Sequence, residues 1–471
     1  MPQNDQMETF QLISALQHLL GDAHVLLDDV QKAPFCIDQR RRYQGNALAV
    51  IQPATVAEIC QVVRLAAAAG VSIVPQGGNT GLVGGATPVS MGRPSLVLSL
   101  ARMNQIRQWH GDGVTVEAGV ILAELNRLAG GRGQYLPIDL ASSGSAQIGG
   151  VISTNAGGMR VIRHGMLRQH VLGLEVVLAN GEVWSDLRPL LKNNCGYDLK
   201  QLFIGAEGTL GIVTAATLRL VPTPIQQATA WVALPDMAAA LELLGALRQS
   251  AGDALTAFEV INHNCIELVA KHAPDLAWPL PGEHADWYAL VELSASHQAI
   301  DLHTMLLDCL AGLGVQRAVV AQSQAQTDTL WRWRELIPEA QRLAGGNIKH
   351  DIAVPHDALP VFVSRAEQAL KDRFPEVAII AFGHAGDGNL HYNVAHTRSS
   401  AADTFLDEAE VNGLIYDLVK ACGGTCSAEH GIGQLKRDRL RDWAGPTGWQ
   451  LMQQIKSSLD PDGVFNPGKV L

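Results

Sequence analysis

Hydrophobic positions repeat at helical spacing from Phe10 to Leu27, which predicts a helical start to the fold. Thr55-Val56-Ala57-Glu58 places a capping residue ahead of a second helix that runs to Ala69, and Gly70 stops it. Short apolar runs at residues 71–74, 96–100, 114–119 and 174–178 predict strands, with glycine-rich loops between the units as far as about Pro222. Around Pro222-Thr223-Pro224 the texture changes. Residues 231–234 and 287–293 then predict strands, and residues 237–248 and 303–313 predict helices. A strand-helix-strand-strand-helix-strand order implies a separate α+β domain with a large, mainly antiparallel sheet. The tail is again rich in glycine from about Thr425 and ends in Asn466-Pro467-Gly468. The pattern divides the chain into residues 1–224, residues 225–424 and a C-terminal segment, 425–471.

Composition narrows the class. A chain of 471 residues with 47% hydrophobic and 17% charged positions is globular and long enough for several cores. A net charge of -11 argues against a general nucleic-acid binder, which needs a basic face, but leaves a small anionic substrate open. The seven cysteines contain no CxxC pair, so the expectation is a reducing, cytoplasmic setting rather than a disulfide framework. The stretch from Met1 to Met7 is polar and lacks the plan of a signal peptide. No apolar run reaches the roughly 18 residues of a membrane helix.

Chemistry first shows in Pro75-Gln76-Gly77-Gly78-Asn79-Thr80-Gly81-Leu82, directly after a predicted strand. Glycines let successive backbone N–H groups turn onto one anion, as a pyrophosphate requires. Taken alone the loop reads equally well as a tight surface turn. It is neither the Rossmann GxGxxG pattern nor a P-loop. Further glycine-rich stretches strengthen the cofactor reading: Ser143-Gly144-Ser145, then Ile148-Gly149-Gly150-Val151 with Ser153, Asn155-Ala156-Gly157-Gly158, and Gly205-Ala206-Glu207-Gly208-Thr209-Leu210-Gly211-Ile212-Val213. Ser145, Ser153 and Asn155 are candidates for side-chain hydrogen bonds to a large flat ligand.

A second set joins His384 and His391, seven residues apart, to Glu429 about forty residues on. Two imidazoles and a carboxylate suit a catalytic zinc with room left for substrate; Mn2+ or Fe2+ fit the same donors. Each histidine alone would read as an ordinary structural residue. His430, next to Glu429, can take a proton near neutral pH. Arg334 and Lys349 are candidate carboxylate anchors, although either alone reads as a solvated cation.

The order of these loops resembles the vanillyl-alcohol-oxidase/PCMH-type flavoproteins, and within them the FAD-linked D-2-hydroxy-acid dehydrogenases, over nearly the whole chain from about Arg41. The resemblance implies a PCMH-type FAD-binding domain of two α/β subdomains plus an α+β cap domain. It implies that the loop from Pro75 to Leu82 wraps the pyrophosphate. The flavin and adenine parts would be lined by Pro137, Gly144, Ser145, Gly149, Gly150, Ser153, Asn155, Gly158, Glu207, Gly208, Gly211, Ile212 and Val213, with Asn466 returning from the C-terminus. The pyrophosphate loop holds no histidine, so FAD is expected to be noncovalent. By the same resemblance His384, His391 and Glu429 are metal ligands, and Arg334, Lys349 and Asn393 contact substrate. His430 is the general base, taking the hydroxyl proton of a metal-held substrate as hydride leaves for flavin N5. Pro338 stands where a substrate-touching Thr is expected, which loses a contact to the distal carboxylate, but Lys349 as a second cation favours a dicarboxylate, so the implied substrate is D-2-hydroxyglutarate first, then D-malate or D-lactate. Cys195 also replaces an expected Thr and carries no redox role. Expected partners are the acid, an electron acceptor such as electron-transfer flavoprotein or a quinone, and a second copy of the chain. Readings of other classes are a zinc hydrolase, which leaves the glycine loops unused, and a non-catalytic flavin-binding subunit.

Overall fold

The computed structural model describes residues 3–89, 92–280, 282, 284–396 and 408–471. Met1 and Pro2, part of the polar start, lie outside the described residues. Residues 1–157, 166–222 and 429–471 make one compact unit, and residues 158–165 with 223–428 make another.

The first helix, Gln3–Leu20, ends earlier than the hydrophobic spacing predicts. Gly21 at φ 84° breaks it, and Val25–Leu26 instead forms an edge strand on Ala49–Ile51. The helix Val56–Ala68 follows the capping signal: Thr55 accepts the Glu58 N–H while Glu58 reaches back to the cap. In this first unit two sheets form. One is four-stranded, in the order Val25–Leu26, Ala49–Ile51, Ser95–Ser99, Ser72–Gln76, and two of its pairings place Ser95–Ser99 between parallel neighbours. That strand is buried at every position, as a strand covered on both faces must be. The other is five-stranded, in the order Ile106–Trp109, Gly113–Glu117, Ile212–Arg219, Val171–Val177, Val183–Asp186. The C-terminal residue Phe465 adds a parallel bridge to Ile73, which carries the chain end back to the strand that feeds the glycine loop.

The second unit is built on an eight-stranded sheet whose pairings are all antiparallel. From one edge it runs Ala318–Val320, Gln226–Leu234, Trp287–Ala295, Leu255–Asn262, Val377–Gly383, Asn389–His396, Asn347–Ile348, and Asp351–Ala353 pairs with Asn389–His396. Trp287–Ala295 is buried throughout. Trp278 meets Trp231, Tyr288 and Trp333 edge-on, and Trp231 and Tyr288 lie tilted against each other. The helices Met237–Ala251 and Leu302–Gly312 stand close to their predicted spans. The strand Leu255–Asn262 is an addition that the sequence pattern alone does not single out.

Candidate active site

In the first unit the glycine loop leaves Ser72–Gln76 and spends its polar side chains on the scaffold. Gln76 Nε2 donates to Phe35 O at 2.9 Å and Ala86 O at 2.7 Å. Asn79 Nδ2 donates to Ile37 O at 2.9 Å and Pro34 O at 3.1 Å. Among the described residues, no backbone N–H from Gly77 to Leu82 has a hydrogen-bond partner in the fold. A run of unpaired amides on a half-buried loop is a cradle for an anion. Gly78 is pressed against the second loop so closely that a Cβ there would lie 2.0 Å from Ser145 O.

The remaining candidates gather around the same loop. Gly205 N donates to Ile152 O at 3.1 Å and Glu207 N to Ser153 O at 2.8 Å, joining the second and third stretches. The side chains of Ser153 and Asn155 are turned inward: the Ser153 hydroxyl donates to Gly149 O at 2.7 Å, and Asn155 Oδ1 accepts from Arg168 N at 3.0 Å. Asn466 donates to Gly85 O at 2.9 Å and Glu207 O at 2.8 Å, while its own amide donates to Ile73 O at 2.8 Å. Its Oδ1 is buried with no partner, as is Gln147 Oε1. Lys469 Nζ is buried and unpaired too, and burial pulls its pKa down to about 8. Six described residues other than glycine hold positive φ, and four of them are cofactor candidates: Asn79, Asn155, Glu207 and Asn466. Strain of this kind persists where surroundings over-determine the backbone, typically at binding sites. The unpaired amides of the loop, with the orphaned oxygens of Gln147 beside Gly77 and of Asn466 beside Gly85 and Glu207, fit a dinucleotide such as FAD.

Glu207 has a further task. Buried in the first unit, it accepts hydrogen bonds from Ile432 N at 2.6 Å and Gly433 N at 2.8 Å. Burial pushes its carboxyl above the usual range, and those two amides pull against the rise. Gly431 lies against the carboxylate, where a Cβ would be 2.8 Å from Glu207 Oε1. Glu207 thereby fixes the backbone just beyond His430. His430 itself is three-quarters buried at its side chain, with Nε2 4.0 Å from Glu429 Oε1.

In the second unit, His384 follows Val377–Gly383, and His391 lies on Asn389–His396; their rings meet edge-on with centroids 5.6 Å apart. The register sets Asp351 opposite His391, with a carboxylate oxygen and a ring nitrogen within 4.8 Å. Asn393, two residues beyond His391, shares its face of the strand. Its carboxamide is engaged: Oδ1 accepts from His350 N at 3.2 Å and Nδ2 donates to Gln341 Oε1 at 3.2 Å. Asn393 thus holds the link between Asn347–Ile348 and Asp351–Ala353 that carries the half-buried Lys349.

Arg334 ends the helix Gln324–Glu335 and is buried. Its Nε donates to Glu259 Oε2 at 2.5 Å, and its guanidinium lies over the Phe382 ring at 4.7 Å. Among the described residues its two terminal nitrogens make no hydrogen bond. The other oxygen of Glu259 bonds His384 Nδ1. Burial opposes ionisation of Glu259, but His384 and Arg334 outweigh it and hold the carboxyl down to about 2. Pro338 sits in the first turn of Ile337–Ala344, where its missing N–H costs nothing and no hydroxyl is presented.

Glu259 and Asp351 are the residues that sequence reasoning misses. The signal for Glu259 was a lone acid in the apolar run Phe258-Glu259-Val260-Ile261; for Asp351 it was its place beside Lys349 and His350.

The fold and its loops define an FAD-dependent oxidoreductase, and comparison with known proteins narrows the class. The FAD binding domain family matches residues 47–186, and the family of FAD linked oxidases, C-terminal domain, matches residues 223–470. D-2-hydroxyglutarate dehydrogenase, mitochondrial, of Bos taurus is 38% identical over 464 residues, covering 98% of this chain and 83% of its own. D-2-hydroxyglutarate dehydrogenase of Stutzerimonas stutzeri (strain A1501) is 35% identical over 464 residues, covering 98% of each. Among solved structures, p-cresol methylhydroxylase with substrate bound superposes with a TM-score of 0.77 at 19% identity, covering 99% of this chain and 97% of that one, which establishes the PCMH-type fold. The chain belongs to the FAD-linked oxidases, in the family of the D-2-hydroxyglutarate dehydrogenases.

Proposed function

We propose that this protein oxidises D-2-hydroxyglutarate to 2-oxoglutarate with noncovalent FAD and a divalent metal, zinc by first choice. The observation that carries the substrate class is Arg334, a buried guanidinium gripped at Nε by Glu259 with its two terminal nitrogens free of hydrogen bonds among the described residues. A fork so held is a receptor for one carboxylate. Lys349 supplies a second cation, which suits a dicarboxylate better than lactate.

When bound, FAD supplies the two-electron acceptor, and a metal held by His384, His391 and Glu429 supplies Lewis acidity toward the hydroxyl. Asp351, opposite His391 in the sheet, offers a carboxylate beside that histidine. The protein's own residues do the rest. The amides of Gly77 to Leu82 and the buried Asn466 and Lys469 hold the cofactor's polar groups. Arg334 and Lys349 orient the acid. His430 accepts the hydroxyl proton, on a backbone that Glu207 fixes. Pro338 favours a second, shorter substrate such as D-malate, since it offers no hydroxyl to a distal group.

An anaerobic panel of D- and L-2-hydroxy acids, with and without chelator and read by flavin absorbance, tests the reading. D-2-hydroxyglutarate should bleach the flavin fastest and D-malate next, with the L-acids inert and chelator slowing both. Bleaching by none of the acids removes the proposal, and fastest bleaching by D-lactate removes the role of Lys349. An electron-transfer flavoprotein or a quinone is proposed as the acceptor, and a homodimer as the assembly.

A further inference from the structure

We propose that Glu259 is a positioning residue that uses one carboxylate to aim both a metal-binding histidine, His384, and the substrate-binding arginine, Arg334. The inference rests on the roles proposed above for those two residues.

Glu259 lies on Leu255–Asn262, inside the eight-stranded sheet, and is 0% exposed. The register pairs Val260 with Gly383, so Glu259 stands level with the residue after Gly383, which is His384. One oxygen takes His384 Nδ1. That bond sets the ring's tautomer and rotation, and in the proposed role Nε2 is the nitrogen that would take the ion. The other oxygen takes Arg334 Nε at 2.5 Å. With Nε held and Phe382 beneath the plane, the guanidinium cannot swing, and its terminal nitrogens form a fixed fork.

A purely structural origin explains this poorly. A buried ion pair is a weak way to stabilise a sheet, because desolvation offsets most of its attraction. The neighbouring strand offers a comparison. Glu292 is also buried, yet its partners, Trp331 Nε1 at 3.1 Å, Thr256 Oγ1 at 3.2 Å, the Gln227 amide and the Arg160 guanidinium at 3.9 Å, have no proposed role in the chemistry. Glu259 instead spends both oxygens on two residues that the reaction needs.

The test uses the purified flavin-containing protein. Zinc content is measured after dialysis against graded chelator, and KM for D-2-hydroxyglutarate is measured alongside. E259Q should lose zinc at roughly 10-fold or more lower chelator than wild type and raise KM by about 10-fold or more, with flavin content unchanged. Zinc retention and KM within about twofold of wild type would overturn the inference. Wild-type protein that holds no zinc at any chelator level would overturn the metal reading instead, so the two failures are distinct. If E259Q does not accumulate because Arg334 is left uncompensated, E259Q/R334M removes both charges. Its zinc retention then decides: loss supports the role, and wild-type retention ends it.

Discussion

At the scale of single residues, the account assigns separate tasks that separate substitutions should expose. His430→Ala removes the proposed proton acceptor and leaves the glycine loops untouched. Turnover should fall by about 10²-fold or more while the bound-flavin spectrum persists. Near-normal turnover would take His430 out of that role. Lys469, proposed to meet the cofactor's polar groups, offers a test by pH. Its folded pKa is drawn down to about 8 from 10.5, so between those values the unfolded chain binds more protons and stability rises with pH. The stability is fully present above 10.5 and lost as pH falls through about 8. A gap of this size is worth about 3 kcal/mol. In flavin-stripped protein, Lys469→Met should flatten the rise seen in denaturant midpoints across that window. An unchanged slope would mean that Nζ finds an anion within the fold.

At the scale of elements, the close approach of the two glycine loops is the feature most open to challenge. Gly78→Ala would set a Cβ against Ser145 O, a backbone atom that cannot rotate away, so the loops must part. Flavin-to-protein ratio after gel filtration should fall at least about 10-fold, with the second unit's circular dichroism contribution retained. Full flavin occupancy in Gly78→Ala would contradict the cradle. These loops were legible in the sequence because their chemistry is local: glycine at fixed offsets after an apolar strand. The capped helix after Thr55 was legible for the same reason. Glu259 and Asp351 were not. Glu259 gains meaning only when Leu255–Asn262 pairs with Val377–Gly383, well over a hundred residues on. Asp351 gains it through the register with His391. Pairings of that range leave no periodic trace in the chain. Asn393, which the resemblance implies as a substrate contact, has its carboxamide bonded to His350 and Gln341, partners that the chain order does not reveal.

At the scale of the whole molecule, family membership and the loops agree on FAD, and the proposal that it is held noncovalently rests on the lack of histidine from Pro75 to Leu82. Acid precipitation should leave the flavin in the supernatant; flavin in the pellet would refute noncovalent attachment. No helix among the described residues is long and apolar enough to cross a membrane. The measurement that bears most directly on the account is an anaerobic titration of the purified protein with D-2-hydroxyglutarate, following the oxidised-flavin band and the keto acid formed. The account predicts loss of the band with one 2-oxoglutarate released per flavin reduced. A band that persists in excess acid, in protein shown to hold both flavin and metal, would contradict it.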